Sequence, residues 1–478
     1  MVNQIYGTPG DDVLIGTDDV DEIYGFAGDD SLQGGDGNDT LGGDSGADTL
    51  SGGAGIDTAG YSGSSTGVTV TLGGSGSGGD AQGDTIAEDI ENLRGSDYAD
   101  ILTGNAEANI LRGSTGNDVL RGEAGDDVLF GYLGADAFFG GDGIDTVDYS
   151  DTDIPYITGA TVTIGGTGSG FYADGDTIAD DIENLIGTEY EDVFVGNAGA
   201  NTLRSGGDDD VLNGNGGADT LDGGAGFDLV SYYNSAQGVT VNLAVGTGSG
   251  GTAEGDTLIS VEAVYGSSHA DTLTGGDGDD VFRGGAGADD LDGGAGTDVA
   301  SYADSTVGVT VNLATGTGSS GTAFGDTLVS IENIHGSGHA DTLTGSAAAN
   351  IITGARGKDL LTGGDGADRF VFAGSRFASH PFDSAVGRTN ADRITDFSHV
   401  QGDRIDLSAI NADSGEGGGN GSFTFIGTAV YTGVAGQLRY ALSGSDAVIG
   451  GDVDGDGVSD FNIVLSNVGS LQASDFVL

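Results

Sequence analysis

The sequence predicts an all-β protein, a parallel β-roll or β-helix solenoid in which short strands and tight turns stack coil upon coil. Three observations lead to this fold class. Glycine supplies 97 of the 478 residues and proline only three, whereas an average protein is about 7% glycine. From Gly7 the chain divides into units of nine residues without a slip. Within each unit, the sixth residue is Asp or Asn and the eighth is apolar.

The nonapeptides have the form GGxGxDxUx, where U is apolar, and they fall into five arrays with 25 units in total. We assign the arrays to residues 1–60, with the first unit at Gly7, and to 95–148, 187–231, 266–301 and 336–371. The strict period argues against a flexible acidic linker of low complexity, which would need no register.

Each column of the unit has a physical role. The glycines permit positive φ and close backbone approach in a turn, and the xUx end suits a short strand with one inward side chain. One unit cannot bury its single apolar residue, so units two apart in sequence are expected to stack about 4.7–4.9 Å apart. Leu32, Leu50, Leu120 and Leu221 are then core positions.

Four longer inserts separate the arrays, at residues 61–94, 149–186, 232–265 and 302–335. Each contains an alternating apolar strand, a Gly/Ser turn, a GDT tripeptide and an apolar-acidic stretch, which predicts widened coils in the same stack. Acidic residues recur within them, and both ion binding and turn stabilisation remain open as their role. They are Asp84, Asp176, Asp256 and Asp326 of the GDT elements, with Glu91, Glu183, Glu262 and Glu332 downstream.

The charge balance restricts the possible partners. Thirteen basic residues against 76 acidic ones give a formal net charge of −63, so that the chain repels itself until cations neutralise it. Nucleic acid and anionic membranes are disfavoured because both depend on Lys and Arg. The absence of cysteine excludes disulfides and thiolate metal sites. We expect neither an amino-terminal secretion signal nor a membrane span.

Stacking superimposes the turns, so carboxylates at position six and turn carbonyls should converge between coils. A donor set of oxygens alone suits Ca²⁺, which takes about 6–8 oxygen ligands, better than zinc or copper. We therefore expect multiple Ca²⁺ ions as cofactors. The candidate ligands are Asp12, Asp30, Asp39, Asp48, Asp57, Asp118, Asp127, Asp136, Asp145, Asp210, Asp219, Asp228, Asp271, Asp280, Asp289, Asp298, Asp341, Asp359 and Asp368.

The units differ in how completely they match the pattern. The strongest sites are expected in the eight complete units, which carry Asp39, Asp57, Asp145, Asp228, Asp280, Asp289, Asp298 and Asp368. Asn109, Asn201 and Asn350 replace the aspartate in the second unit of their arrays. We interpret these three units as structural coils with a reduced demand for ions.

These arrays resemble the RTX, or haemolysin-type, calcium-binding repeats over residues 7–371, and the resemblance implies a parallel β-roll. The residues from 372 to 478 are similar to the C-terminal secretion and capping domain of serralysin-type metalloproteases, on segments 367–372, 392–397, 402–408 and 475–478. That resemblance implies type I export from a Gram-negative-like bacterium. No histidine is followed by Glu as in HExxH, so the protease activity is not carried over.

Three other features of the sequence bear on function. Residues 452–460 match the first half of an EF-hand loop, but the twelfth position is Ile463 rather than Glu, so both a calcium loop and a structural turn stay open. His269 and His339 occupy equivalent array-opening turns and are expected at the surface. No GxSxG motif lies on a strand-to-helix pattern, and GxGxxG-like strings arise from the repeat itself.

The sequence therefore predicts a secreted, calcium-binding protein that folds when Ca²⁺ binds outside the cell. We expect a non-enzymatic structural, surface-layer or adhesive role. The alternative is a calcium-stabilised module of a secreted enzyme or polysaccharide-acting protein. Expected partners are calcium ions, the type I secretion machinery and, further, a cell-surface glycan or another copy of the chain.

Overall fold

The computed structural model describes residues 2–150, 158–374, 382–412 and 421–478. The chain forms two compact units, one of residues 1–230 with 255–261 and the other of residues 231–254 with 262–478. Both consist almost wholly of short β-strands. The helical elements among the described residues are four 3₁₀ turns, at Gly79–Ala81, Gly251–Ala253, Gly321–Ala323 and Ala473–Asp475.

The first unit contains the strands numbered 1 to 25, most of β26, and β29. Their bounds are β1 Asn3–Tyr6, β2 Val13–Ile15, β3 Asp21–Tyr24, β4 Ser31–Asp36, β5 Thr40–Gly42, β6 Thr49–Ala54, β7 Thr58–Gly60, β8 Thr69–Thr71, β9 Gly76–Ser77, β10 Thr85–Ile86, β11 Asn92–Arg94, β12 Ile101–Thr103, β13 Ile110–Thr115, β14 Val119–Ala124, β15 Val128–Leu133, β16 Ala137–Asp142, β17 Thr146–Asp148, β18 Thr161–Thr163, β19 Gly168–Ser169, β20 Thr177–Ile178, β21 Asn184–Ile186, β22 Val193–Val195, β23 Thr202–Gly207, β24 Val211–Asn213, β25 Thr220–Ala225, β26 Leu229–Ser231 and β29 Thr257–Ile259.

The second unit contains the remaining strands. Their bounds are β27 Thr240–Asn242, β28 Thr247–Ser249, β30 Ala263–Tyr265, β31 Thr272–Thr274, β32 Val281–Arg283, β33 Asp290–Asp292, β34 Val299–Ser301, β35 Thr310–Asn312, β36 Thr317–Gly318, β37 Thr327–Val329, β38 Asn333–His335, β39 Thr342–Thr344, β40 Ile351–Thr353, β41 Leu360–Thr362, β42 Arg369–Gly374, β43 Asp392–Ile394, β44 Arg404–Ile410, β45 Thr424–Phe425, β46 Gln437–Ser443, β47 Asp446–Asp452, β48 Phe461–Leu465 and β49 Phe476–Val477.

Within an array, each strand pairs in parallel with the strand 18 residues later. Leu14 lies opposite Leu32, and Leu32 opposite Leu50. Since 18 residues are two nonapeptides, alternate units form two separate columns of strands. The chain thus winds as a parallel β-roll, and the predicted fold class is confirmed.

The narrow core of the roll is built from the apolar residue at position eight. Leu32, Leu50, Leu120 and Leu221 are fully buried. The same is true of the other position-eight residues except Leu14, which is half-buried in the first coil. Glycine is needed at the turns because the coils approach so closely. Gly53, for example, has φ of 108°, and a Cβ there would clash with the carbonyl oxygen of Gly35.

The inserts interrupt one column of strands and leave the other continuous. In the first insert, β10 pairs with β6 and ends one column, while β8 pairs with β12 and begins a new one. On the opposite column, β11 pairs with both β7 and β13, so that column continues. The insert at 302–335 repeats this arrangement in the second unit, where β37 pairs with β33, β35 with β39, and β38 with β34.

The columns of the second unit continue beyond the last nonapeptide. Strand β43 pairs in parallel with β41, and β44 pairs in parallel with β42. Strands β48 and β49 follow on these two columns, and β46, β47 and β48 form an antiparallel meander. The region expected to form a C-terminal capping domain therefore shares its sheets with the fifth array.

Ion pairs between side chains are concentrated in this C-terminal part of the second unit. Arg369 pairs with Asp406, and both Arg388 and Arg393 pair with Asp446. His399 Nδ1 lies 2.8 Å from an oxygen of Asp475 and fixes the last 3₁₀ turn. No helix among the described residues is long and apolar enough to cross a membrane.

Candidate metal centres

The position-six carboxylates form a continuous ladder with the backbone within each array. One oxygen, Oδ1, accepts the backbone N–H of the position-six residue 18 places earlier. Asp21 donates to Asp39, and Asp39 to Asp57, each at 2.8 Å. The ladder fixes each carboxylate against the coil below it and buries it almost completely.

The second oxygen of most of these carboxylates has no hydrogen-bond partner. Unpartnered buried polar groups are rare and costly in proteins, especially when charged. An orphaned oxygen repeated at 18-residue spacing indicates a missing electropositive partner. The residues whose Oδ2 is buried and unpartnered are Asp30, Asp39, Asp48, Asp57, Asp118, Asp127, Asp136, Asp145, Asp210, Asp219, Asp289, Asp298, Asp359 and Asp368.

Carbonyl oxygens border the same spaces. A Cβ built on Gly34, at position one of its unit, would clash with Asp39 Oδ2 and with the carbonyl oxygen of Gly52. A Cβ on Gly122 would meet Asp127 Oδ2 and the Gly140 carbonyl oxygen in the same way. Glycine at position one therefore keeps open a space lined by a carboxylate oxygen and a carbonyl oxygen from the next coil.

Burial changes the acidity of these groups. It raises the pKa of Asp118 to about 7, with the charge of Asp136 adding to the effect. Burial likewise raises the pKa of Asp48 and of Asp289 to about 7, with the neighbouring Asp84 and Asp326 contributing. Desolvation of the charged form is the main cause in each case. A bound cation would remove that penalty.

The donor set fits Ca²⁺. It consists of oxygens alone, from carboxylates and turn carbonyls, and Ca²⁺ prefers such ligands in flexible numbers. When bound, the ion supplies the positive charge that the buried carboxylates lack.

A second class of position-six carboxylate is already satisfied by its own turn. Asp100 Oδ2 accepts the backbone N–H of Ser96 at 2.6 Å, and Asp100 Oδ1 accepts the Ser96 hydroxyl at 2.8 Å. The same closed turn joins Thr188 to Asp192. Thr17 donates to Asp21 Oδ2 in the same way, whereas Asp21 Oδ1 is buried without a hydrogen-bond partner. Ser or Thr stands at position two of these turns, but Ser114 holds the same position in the open turn of Asp118, where its φ is 86°.

Four of the candidate ligands belong to this closed class. Oδ2 of Asp12, Asp271 and Asp341 accepts the position-two N–H of its own turn, from Thr8, Ser267 and Ser337 respectively. Asp280 accepts the N–H of Gly276 at 2.6 Å, although its unit has the complete pattern. In these four turns the second oxygen caps the turn, and this geometry favours a turn-stabilising role over ion binding for these candidates.

The three asparagines also close their own turns. Asn109 Oδ1 accepts the N–H of Asn105 at 2.8 Å, and Asn109 Nδ2 donates to the Glu91 carbonyl. Asn201 and Asn350 repeat both contacts. An amide suits these turns because its NH₂ donates where a carboxylate could not. This geometry agrees with their interpretation as structural coils.

In the inserts, a tyrosine hydroxyl is the hydrogen-bond partner of the second carboxylate oxygen. Asp84 Oδ1 accepts the N–H of Asp48, as a position-six residue would, and Tyr61 donates its hydroxyl to Asp84 Oδ2 at 3.1 Å. Tyr149 binds Asp176, and Tyr302 binds Asp326, in the same way. These contacts favour the turn-stabilising role over ion binding for the GDT aspartates.

The insert glutamates continue the ladder on the other column. Glu91 accepts the N–H of Asp57, Glu183 that of Asp145, and Glu332 that of Asp298, at 2.8–3.0 Å.

The candidate ligand Asp228, in the third array, is also part of the ladder. It is buried, and its Oδ1 accepts the N–H of Asp210 at 2.9 Å.

The remaining candidate features lie at turns. Single carboxylate oxygens of Asp452, Asp454 and Asp460 lie within 4.8 Å of one another. Asp452 accepts the backbone N–H groups of Gly455 and Gly457, and Asp460 that of Val453, within the β47–β48 hairpin. These bonds favour a structural turn. His269 and His339 are exposed in their turns.

Sequence reasoning missed two ladder residues beyond residue 371. Asp392 accepts the N–H of Asp359 at 2.8 Å, and Asp403 that of Asp368 at 3.1 Å. Neither follows a GGxG turn, and the spacings of 33 and 35 residues fall outside the 18-residue period. An Asp followed by a residue and an apolar strand position, as in Asp392-Arg393-Ile394, was the remaining signal.

Comparison with known families gives a match of the same extent as the arrays. The model of the RTX calcium-binding nonapeptide repeat, in four copies, matches residues 6–41, 24–59, 87–120, 112–147, 179–212, 195–230, 265–300 and 335–370. These segments cover half of the chain. The chain belongs to the RTX calcium-binding repeat family. Its RTX repeats bind Ca²⁺ at multiple sites. A search of curated proteins gave no match.

Proposed function

We propose that this RTX chain is a secreted protein that folds when Ca²⁺ binds to its turns outside the cell. The observation that carries the proposal is the row of buried carboxylate oxygens without hydrogen-bond partners. Charges buried in this way destabilise the folded state until a cation pairs with them. The binding free energy of calcium therefore becomes folding free energy.

The turns assigned to calcium are those whose second carboxylate oxygen is open. The position-six aspartates of these turns hold the ion together with the carbonyl oxygens that line the same space. The closed turns of Asp100, Asp192, Asp271 and Asp341 contribute packing and hydrogen bonds instead. This division predicts fewer bound ions than position-six residues.

Circular dichroism and size-exclusion chromatography test calcium-dependent folding. In a chelator the protein should elute as an expanded chain with little β-sheet signal, and millimolar Ca²⁺ should restore a compact β-rich state. Magnesium at equal concentration is the control, because it prefers octahedral coordination and retains its waters. A compact β-rich protein in chelator would contradict the proposal.

The proposed role outside the cell is structural, surface-layer or adhesive, without catalysis. The composition and the resemblance of residues 372–478 to a type I secretion domain support it. Calcium-folded protein should be retained on bacterial cells or on a polysaccharide column and should leave a panel of hydrolase substrates unchanged. Turnover of any substrate would favour the alternative, a module of a secreted enzyme.

A further inference from the structure

Asp392 occupies a position-six place although it lies outside every nonapeptide. Strands β41 and β43 pair with Leu360 opposite Arg393 and Leu361 opposite Ile394. This register puts Asp392 beside Asp359, one coil further along the column. Asp359 donates its N–H to Asp392 Oδ1 at 2.8 Å and accepts the N–H of Asp341 at 2.8 Å. The ladder therefore runs on past the last array on this column.

Two buried carboxylate oxygens face this junction without partners. Asp359 is 2% exposed and Asp392 is fully buried, and Oδ2 of each has no hydrogen-bond partner. Two buried carboxylates held on adjacent coils, each with an unpartnered oxygen, need a cation to compensate their charges.

The segment that carries Asp392 is fixed in place. Its backbone N–H donates to Ser384 Oγ at 2.9 Å, and Ser384 in turn donates to the carbonyl of Asn462 on β48. Arg393, the next residue, is paired with Asp446 on β47. The position of the carboxylate is thus determined by the C-terminal strands as well as by the roll.

We propose that Asp392, a residue outside every nonapeptide, completes with Asp359 a Ca²⁺ site at the junction between the fifth array and the C-terminal strands. The proposal rests on calcium binding by the array turns, as proposed above. An oxygen-only pair of carboxylates selects a hard divalent cation. The ion would join the C-terminal residues to the roll, so that the last coil is completed only when residues 392–394 have docked.

Asp403 offers a matched comparison on the other column. Its Oδ1 accepts the N–H of Asp368, as Asp392 does for Asp359. Its Oδ2, however, accepts the N–H of Ser398 at 2.8 Å. Asp403 therefore shares the ladder role and the C-terminal location but has no open oxygen.

Native mass spectrometry of the full chain in calcium tests the site. Asp392→Asn should bind one Ca²⁺ fewer than the unmodified protein, whereas Asp403→Asn should bind the same number. Asparagine keeps a carbonyl oxygen that can accept the Asp359 N–H in place of Oδ1. An unchanged count for Asp392→Asn, or an equal loss in both variants, would overturn the proposal. If the unmodified protein binds no calcium at all, calcium-dependent folding itself fails.

A crystal of the unmodified protein grown in calcium provides a second measurement that does not depend on a variant folding. Anomalous difference density between the carboxylates of Asp359 and Asp392 is the expected result. Its absence there, with density present between array turns such as Asp39 and Asp57, would overturn the junction site and leave the array sites intact.

Discussion

Three surroundings of the second oxygen recur among the ladder aspartates described above. In the open turns it is buried without a partner, as in Asp118. In the closed turns it accepts the N–H of position two, as in Asp100. In the inserts it accepts a tyrosine hydroxyl, as in Asp84. In the proposed mechanism, this one atom distinguishes a coil that depends on calcium from a coil that is satisfied by the chain alone.

Replacing Asp118 by Asn should weaken calcium binding while the turn remains folded. The substitution keeps the Oδ1 acceptor for Asp100 N–H and removes the negative charge on the open oxygen. The calcium affinity of that turn should fall on the order of tenfold, because ligand charge sets affinity in such sites. Titration against a chromophoric calcium chelator measures the change.

Asp100→Asn is the matched control for this experiment. Its second oxygen caps the turn at Ser96, so the substitution should reduce stability and leave calcium affinity within about twofold of the unmodified protein. Equal losses of calcium affinity in the two variants would show that open and closed turns do not differ in their role.

The raised pKa values predict opposite pH responses with and without calcium. The pKa of Asp118 and Asp289 is about 7 in the folded chain without metal, above the unfolded value of about 3.9. Such a shift means that the folded state favours the protonated carboxyl, so its contribution to stability is fully present below the unfolded pKa. This stabilisation is lost as the pH rises through about 7. In chelator, the β-sheet signal in circular dichroism should therefore increase as pH falls from 8 to 5.

With calcium present, the effect of pH on folding has the opposite sign, because protons compete with the ion for the same oxygens. Calorimetric titration should show weaker calcium binding at pH 5 than at pH 8. A chelated protein whose circular dichroism is the same at both pH values would contradict the assigned cause of the pKa shifts.

At the scale of the strand and turn, most of the roll could be predicted from the period of nine. Leu120, at position eight, is fully buried because the xUx strand points one side chain inward. The pairing of units two apart follows from the same period, as in Leu32 opposite Leu50. The family of repeats and the identity of the ion, Ca²⁺, were also accessible in this way.

The closed turns and the junction were not predicted, for a physical reason. Asp280 caps its own turn although its unit has the complete pattern, as open units do. The difference lies in the backbone, because Gly285 and Gly294, at position two of the next two open turns, have φ of 87° and 89°, whereas Gly276 has no positive φ. Asp392 was missed because 33 residues separate it from Asp359, and only folding of the C-terminal strands brings the two together.

The tyrosine of each insert should stabilise its coil independently of calcium. Tyr61→Phe removes the hydroxyl that serves Asp84 Oδ2 and leaves a buried carboxylate oxygen unsatisfied. The free energy of unfolding should decrease by about 1–3 kcal/mol. Urea unfolding in saturating calcium measures this, and Tyr98→Phe, at a side chain that is half exposed, should change the value by less than about 0.5 kcal/mol. A decrease of the same size in both variants would contradict the role of Tyr61.

At the scale of the whole chain, a net charge of −63 opposes compaction. Monovalent salt screens charges that face solvent but acts much less on buried ones. The ladder carboxylates are buried, so screening alone cannot stabilise them. In the proposed mechanism calcium acts at two levels, since it neutralises the chain and completes the turns.

This distinction can be measured by replacing calcium with salt. In chelator, 1 M NaCl should leave the protein expanded in size-exclusion chromatography, whereas millimolar CaCl₂ at low ionic strength should compact it. Potassium chloride at the same ionic strength is the control for ion type. Compaction by either monovalent salt would show that net repulsion, rather than the open turns, prevents folding.

Each insert leaves one column of strands unbroken, and this bears on how the number of repeats can change during evolution. Residues 232–301 and 302–371 are two copies of one block, an insert followed by four nonapeptides. Within each block the first insert strand pairs with the first array strand in the same register. Four units are an even number, so a duplicated block ends on the column where it began. A tandem copy made by unequal recombination would therefore enter the fold with each strand already opposite a partner, and the length of the protein can change in steps of one block.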